Sequence, residues 1–394
     1  MVPGTEDVDF YDIGSHLSQE ERMIRDGVRE WVEARVLSVI QEAYVERRFP
    51  LELVPEMGEM GMLGANLPEE YGCAGVSNIA YGLIMQELER GDSGIRSFAS
   101  VQGALVMYPI HAFGSADQKE EWLPALASGK RIGCFGLTEP DYGSNPAGMT
   151  TTARRTADGW VLDGTKMWIT NGSMADLAVI WAQTEEPGRP SGIRGFLVPT
   201  DHAGFTAKDQ PGKLSLLASD TSELHLDQVE VPDSARLPEA TGLKSALKCL
   251  TQARYGIVWG ALGAAMACYS EAVSYAKERF AFGAPIGAKQ LQQERIAEML
   301  TGITQGQLVA LQLGRLKDEG RMTPEQVSLG KRANVRMACD VAREARRLLG
   351  ASGILVEYSA MRHMANLESV YTYEGTHDIH SLILGQAVTG LSAF

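Results

Sequence analysis

The sequence predicts an α+β, mainly α protein in three consecutive blocks: a helical domain over residues 1–132, a β-domain over 133–240 and a helical bundle over 241–394. Three observations carry that expectation. Apolar residues recur at helical spacing in the first block, short apolar runs separated by turn residues fill the second, and the third contains helical stretches long enough for an antiparallel bundle.

In the first block, Ser18-Gln19-Glu20-Glu21 fits a capping box and is followed by Ile24, Val28, Trp31 and Val32 on one helical face. Proline-bearing breaks at Phe49-Pro50 and Leu67-Pro68 divide the block into several short helices. In the second block, Trp160-Val161-Leu162 and Thr165-Lys166-Met167-Trp168-Ile169-Thr170 flank Asp163-Gly164, which reads as a hairpin turn between two strands. Further strand signals at 177–182, 195–198 and 224–231 suggest an antiparallel barrel or sandwich. The third block reads as long helices over 246–280, 290–320 and 324–349, of lengths that suit an antiparallel bundle.

Composition narrows the function classes. A chain of 394 residues with 44% hydrophobic content can bury a large core. No stretch approaches the roughly 18–20 uninterrupted apolar residues of a membrane span. The start Met1-Val2-Pro3-Gly4-Thr5-Glu6-Asp7 is acidic, so no secretory leader is expected and a cytoplasmic location is. Cys73, Cys134, Cys249, Cys268 and Cys339 are odd in number and widely spaced, which fits reduced thiols and not a zinc site. A net charge of −14 disfavours nucleic acid or an anionic membrane as partner, because phosphate binding needs a basic surface. A small anionic ligand would have to be held by a few local arginines and helix N-termini.

The most informative segment is Tyr373-Glu374-Gly375-Thr376-His377-Asp378-Ile379-His380. Gly375 lets the backbone approach a ligand without a Cβ, and Thr376 is a good N-cap for the apolar run 379–391, so Glu374 would project from the loop that leads into a helix. It reads as a catalytic base or as an ordinary acidic cap. His377 and His380 lack a third ligand partner, so no metal is expected. Phe135-Gly136-Leu137-Thr138-Glu139-Pro140 runs into Asp141-Tyr142-Gly143-Ser144-Asn145, whose backbone N–H groups face either an anion or heterocycle edge or nothing beyond a strand-end turn. Trp168-Ile169-Thr170-Asn171-Gly172 is equally open between core strand with hairpin turn and binding surface.

Together with Arg279-Phe280-Ala281-Phe282-Gly283, these motifs occur in the order found in the acyl-CoA dehydrogenase family, which the chain resembles over nearly its whole length. Within it, Glu87-Leu88-Glu89-Arg90-Gly91-Asp92-Ser93-Gly94-Ile95-Arg96-Ser97, Gln252-Ala253-Arg254-Tyr255-Gly256-Ile257 and 371–380 are similar to the glutaryl-CoA dehydrogenases. The resemblance implies the α-β-α domain order with a middle β-barrel domain and a C-terminal four-helix bundle, one FAD per subunit, a homotetramer and an electron-transferring flavoprotein as acceptor. It places Phe135, Leu137, Thr138, Ser144, Trp168, Ile169 and Thr170 along the flavin. Arg279, Phe282 and Gln290 would reach an FAD across a subunit interface, and Gly350, Thr376, His377 and Asp378 would complete the cofactor set. Two positions depart from the subfamily pattern, Ala351 in Gly350-Ala351-Ser352-Gly353 and Asn145 after Ser144. Ala351 puts a Cβ where the backbone is expected to approach the neighbouring FAD.

The same resemblance makes Glu374 the base that takes the α-proton of an acyl thioester, its pKa raised by burial. Arg96 would bind the carboxylate at the far end of a glutaryl chain with Ser97 beside it, while Glu89 and Tyr373 would polarise that carboxylate towards decarboxylation. Ser144, Arg254 and Gly375 would contact the acyl-CoA. The expected reaction is oxidative decarboxylation of glutaryl-CoA to crotonyl-CoA. The alternatives are a non-decarboxylating glutaryl-CoA dehydrogenase, a short- or branched-chain acyl-CoA dehydrogenase, and a non-catalytic flavin-binding scaffold.

Overall fold

The computed structural model describes residues 8–185, 188 and 191–393. Residues 1–7, on which the expectation of no leader rests, lie outside them. The first block forms α1 (Gln19–Trp31), α2 (Leu37–Glu46), α3 (Val54–Glu59), α4 (Asn78–Gly91), α5 (Ser93–Ser100), α6 (Tyr108–Phe113) and α7 (Ala116–Ala127). The capping box forms as read: Ser18 Oγ accepts from Glu21 N–H at 3.1 Å and Glu21 Oε2 accepts from Ser18 N–H at 2.8 Å. Single π-helical stretches, Val32–Val36 and Val101–Met107, join α1 to α2 and α5 to α6 without a break. Helix α4 is buried almost throughout, including Gln86, Glu87 and Glu89. A helix enclosed on all sides belongs to an interior, so its acids need internal partners. Glu87 finds them in Arg90 of the same helix at 2.8 Å and in Arg29 at 3.0 Å, the second of which holds α1 against α4.

The middle block forms β1 (Gly133–Gly136), β2 (Thr152–Arg155), β3 (Gly159–Thr170), β4 (Leu177–Glu185), β5 (Gly192–Pro199), β6 (Phe205–Asp209) and β7 (Thr221–Pro232). They make one seven-stranded sheet in the order β1-β4-β2-β3-β7-β6, with β5 paired to β4. Two expectations are corrected here. The sheet is mixed rather than antiparallel, because β1 and β2 both pair with β4 in parallel. The chain between them is long enough to return and run in the same direction, which a tight turn cannot do. Asp163-Gly164 is not a hairpin turn either: β3 runs straight through it, and the ladder with β7 shifts register between Leu162 and Gly164. The extra residue lies on β7, where Asp227 and Gln228 stand against Asp163 alone, and is taken up as a bulge. Asp163 closes it by accepting from Gln228 N–H at 2.8 Å and Gln228 Nε2 at 2.6 Å.

The third block contains α8 (Leu243–Glu278), a short hairpin of β8 (Phe280–Ala281) and β9 (Ala284–Pro285), then α9 (Gln290–Asp318), α10 (Pro324–Leu348), α11 (Ser359–Thr372) and α12 (His377–Thr389). Helix α8 packs on α9, α10 and α11, and also on α4. It is long and apolar enough to cross a membrane, yet 78% of its most apolar stretch is buried inside the protein, as suits a core helix. Met85, Leu88 and Phe98 of the first block share one hydrophobic core with Tyr255, Trp259 and Val335 of the third. The two helical blocks are thus separate in sequence and continuous in packing.

That continuity requires α4 and α8 to approach closely. A Cβ built on Gly263 would lie 1.8 Å from Gln86 O and 2.8 Å from Arg90 N, both backbone atoms that cannot rotate aside. Gly263→Ala is therefore expected to destabilise the protein by about 1–3 kcal/mol through overpacking, although alanine is the better helix former. A fall in the chemical denaturation midpoint checks this, and an unchanged or raised midpoint would contradict the close approach.

Candidate functional site

Glu374 occupies the loop between α11 and α12, with a left-handed backbone (φ 53°) followed by Gly375 at φ 90°. Non-glycine residues rarely hold that conformation without support. Three residues supply it. Lys331, from α10, donates from Nζ to Tyr373 O and to Gly375 O, the latter at 2.7 Å, so the carbonyls on both sides of Glu374 are gripped by one amine. Arg254, from α8, donates from Nε to Glu374 O at 2.7 Å. Thr376 caps α12 by accepting from Ile379 N–H at 3.2 Å. The expectation of a carboxylate presented ahead of a capped helix holds.

The Glu374 residue keeps some exposed surface, but its Oε2 is sealed from solvent and has no hydrogen-bond partner. Burial pushes its carboxyl pKa up, against the opposing pull of Lys331, Arg96 and Arg254. Lys331 is brought down to about 7 by burial, with Glu374 resisting the shift. An acid raised and an amine lowered towards neutrality form a site that can take up or release a proton near pH 7.

A second cluster lies at the junction of α4 and α5. Arg96, 1% exposed, donates from Nε to Glu89 Oε2 at 2.6 Å and from Nη2 to the Tyr373 hydroxyl. Glu89 Oε1 accepts from Ser93 Oγ at 2.8 Å, and Ser97 Oγ lies 3.3 Å from the Tyr373 hydroxyl. Burial lowers the Arg96 pKa, but Glu89 and Tyr373 outweigh it and hold the guanidinium charged. The Tyr373 phenol is pushed up to about 12 by burial and stays protonated. Asp92 holds α5 in this place. It caps the helix through Gly94 N–H at 2.6 Å and is gripped from α11 by Arg362 and by Asn366 Nδ2 at 2.9 Å. Because Tyr373 precedes Glu374 directly, the structure joins the buried cation and the buried acid through one residue.

On the middle domain, Lys166 Nζ donates to Leu137 O at 3.2 Å and Met167 N–H to Thr138 O at 2.8 Å, which brings the 135–138 and 168–170 segments side by side. Phe135, Leu137 and Ile169 are buried, Thr138 and Thr170 half-buried, and Ser144 lies exposed on the following loop. Trp168 is 60% exposed with φ 63°, held outward by the bulge of β3 between Lys166 and Ile169. It is therefore not a core strand residue. An outward indole flanked by threonines suits a flat ring with a polar edge, so these residues fit an isoalloxazine. Buried Glu139 anchors the adjoining loop, accepting from Lys166 Nζ at 2.8 Å and from Thr150 and Thr151 N–H at 2.6 and 2.9 Å.

The remaining expected cofactor residues do not gather there. Arg279, Phe282 and Gln290 are exposed around the β8–β9 hairpin, Phe282 almost fully and with φ 52°, and Gly350 is exposed beyond α10. His377 stacks on Tyr371 with ring centroids 4.3 Å apart, while Asp378 is exposed in the first turn of α12. His380 points inward, brought down to about 3 by burial beside Lys331 and Arg254, and is neutral. A separate cavity of about 700 Å³, lined by Arg22, Trp259 and Gln307 among others, contains none of the expected site residues.

Sequence reasoning missed Lys331. The available signal was its place on the buried stripe Val327, Lys331, Asn334, Val335 and Ala338 of α10, since a lysine on an apolar stripe must have an internal partner.

The N-terminal, middle and C-terminal domains of acyl-CoA dehydrogenase match residues 18–130, 134–229 and 240–389. The chain belongs to the acyl-CoA dehydrogenase family, whose members are FAD-dependent flavoprotein oxidoreductases. It is 35% identical over 369 residues to the mitochondrial short-chain specific acyl-CoA dehydrogenase of Bos taurus, covering 93% of this chain and 90% of that one. Among solved structures, it is similar to a glutaryl-CoA dehydrogenase from Mycobacterium smegmatis at 59% identity and TM-score 0.95, covering 98% of this chain and 99% of that chain. A second one from the same organism, in complex with FADH2, is 53% identical with TM-score 0.96 at the same coverage.

The Glu89–Arg96 pair has a consequence for stability that is independent of turnover. Glu89→Leu leaves a buried guanidinium short of its anion and is expected to cost about 3–5 kcal/mol, whereas Glu89→Leu combined with Arg96→Met removes both charges and should regain most of the loss. Denaturation of the two variants checks this, and a double variant no better than the single would mean that Arg96 does not depend on Glu89.

Proposed function

We propose that this chain is a glutaryl-CoA dehydrogenase that converts glutaryl-CoA to crotonyl-CoA and carbon dioxide. The observation that carries this reading is a charged guanidinium, Arg96, buried next to the residue that precedes the candidate base. A pocket for an uncharged acyl chain has no use for a buried cation, whereas a substrate carboxylate repays it with charge-assisted hydrogen bonds of roughly 1.5–3 kcal/mol. This argues against a short- or branched-chain substrate. A flavin-binding scaffold is disfavoured by the care with which Lys331 and Arg254 hold the strained Glu374 backbone.

In this reading the Glu374 carboxylate removes the α-proton. FAD, when bound, accepts the hydride from Cβ. The Glu374 N–H would donate to the thioester oxygen, and Lys331, by fixing the carbonyls on either side, would orient both donor and base. Arg96 and Ser97 receive the distal carboxylate. Glu89 competes for Arg96 and Tyr373 shares it, so the substrate carboxylate is incompletely neutralised and its Cγ–C bond can break. The bond's electron pair stays on the carbon chain as a dienolate, and protonated Glu374 returns its proton to Cγ. Trp168, Thr138 and Thr170 would hold the flavin ring. The exposed Phe282 hairpin with Arg279 and Gln290 would reach the FAD of a neighbour in a homotetramer, and an electron-transferring flavoprotein would reoxidise it. A cytoplasmic location fits the five free cysteines.

Product analysis by mass spectrometry tests the reading, with FAD-loaded protein, an artificial electron acceptor, and glutaryl-CoA and butyryl-CoA in parallel. Crotonyl-CoA from glutaryl-CoA is expected, with Glu374→Gln retaining FAD but losing nearly all turnover. Glutaconyl-CoA as sole product would replace decarboxylation by simple desaturation, and turnover of butyryl-CoA alone would reject the acyl-end assignment.

Lys331→Met should move the acid limb of the kcat/KM pH profile upward. The Lys331 cation lowers the Glu374 pKa, so its removal raises that pKa, and the proton-accepting carboxylate is then populated only at higher pH. A limb that stays in place or moves down would show that Lys331 does not tune the base.

A further inference from the structure

The acyl end depends on a position that carries no side chain. Gly260 lies buried in the middle of α8, where glycine weakens a helix relative to alanine, so packing must require it. A Cβ built there would sit 2.0 Å from Glu89 Oε2, and 3.1 Å from both Glu89 Cδ and Arg96 Nε. Glu89 cannot simply swing aside. Its carboxylate is fully enclosed, with Oε1 bonded to Ser93 and Oε2 to Arg96. The other glycines on this face meet different atoms: Gly256 faces Met85 and the Tyr81 hydroxyl at 3.2 Å, and Gly263 meets the α4 backbone. Gly260 alone of the three stands opposite the charged pair.

We infer that Gly260 is a specificity-determining residue: the space left by its missing side chain is where the Glu89 carboxylate turns onto Arg96, and this sets the acyl end to accept a carboxylate. The inference rests on the reading of Arg96 as the carboxylate-binding group. A methyl group at 260 displaces the Glu89 carboxylate from Arg96 towards the substrate's own carboxylate, which it repels. An uncharged acyl chain suffers no such repulsion. Discrimination therefore falls, and a helix residue with no side chain of its own controls it.

The test compares wild type, Gly260→Ala, Glu89→Ala and the double variant, each loaded with FAD, by kcat/KM for glutaryl-CoA and for butyryl-CoA. Gly260→Ala is expected to lower the glutaryl-to-butyryl ratio about 10- to 100-fold, the worth of one charged hydrogen bond. In the Glu89→Ala background the same substitution should change the ratio less than about twofold, because its clash partner is gone. An unchanged ratio in the single variant, or an equal fall in both backgrounds, would overturn the inference by showing that Gly260 serves packing only. Should Gly260→Ala fail to fold or to hold FAD, the double variant decides: recovery of the flavin absorbance on removing Glu89 supports the contact, and no recovery overturns it. Wild-type protein that ignores glutaryl-CoA would overturn the proposed function itself, an outcome distinct from a glutaryl-specific enzyme that tolerates the Gly260→Ala substitution.

Discussion

A guanidinium without solvent is the constraint around which this protein is arranged. The effective penalty for burying one ion is several kcal/mol even after relaxation, so Arg96 must be met from more than one direction. Glu89 meets it from α4, Tyr373 from the end of α11, and α8 yields room for the pair at Gly260. Asp92 then ties the start of α5 to α11 through Arg362 and Asn366, and Asn366 reaches the middle domain by accepting from Leu216 N–H at 2.8 Å. Elements from all three blocks are thereby held in register around a single charge.

The same charge reaches the base. Tyr373 lies with the Arg96 guanidinium 5.6 Å and the Lys331 amine 5.7 Å from its ring centroid, and the next residue is Glu374. Around Glu374 two effects oppose each other: enclosure favours the neutral acid, and three cations favour the carboxylate. Enclosure prevails, which leaves the acid raised but still responsive to its cations. Lys331 has both a mechanical and an electrostatic part in this, since the amine that braces the carbonyls also lowers the pKa of the carboxyl. A rigid loop with an adjustable proton affinity is what proton transfer near neutrality requires.

Local chemistry explains which features were legible. The capping box at Ser18, the Thr376 cap after Glu374, and the long helices of the third block all depend on neighbours within a few residues, and all appear in the structure. Asp163-Gly164 misled because the dipeptide has the composition of a turn, while the ladder with β7 keeps the chain extended and the surplus residue of the bulge is on β7. Trp168 gave no local sign of pointing outward. Its orientation comes from a register shift against a strand more than fifty residues away. Lys331 is the intermediate case, since its position on an apolar stripe was visible but the carbonyls it serves were not.

From residues alone came the α-β-α order, the family resemblance, and the types of group assembled for the chemistry, because periodicity, capping and motif composition are properties of short stretches of chain. Tertiary structure decided which of those groups meet. The partnership of Glu89 with Arg96 spans two helices, that of Tyr373 with Arg96 spans two blocks, and the grip of Lys331 on the Glu374 loop crosses from α10. Only packing could set such contacts, since the cost of burying a charge or crowding a Cβ is fixed by atoms that the chain brings together from distant positions. Gly260 is the clearest instance. In the sequence it is one glycine among 42, and only the carboxylate opposite it shows why a side chain is absent there.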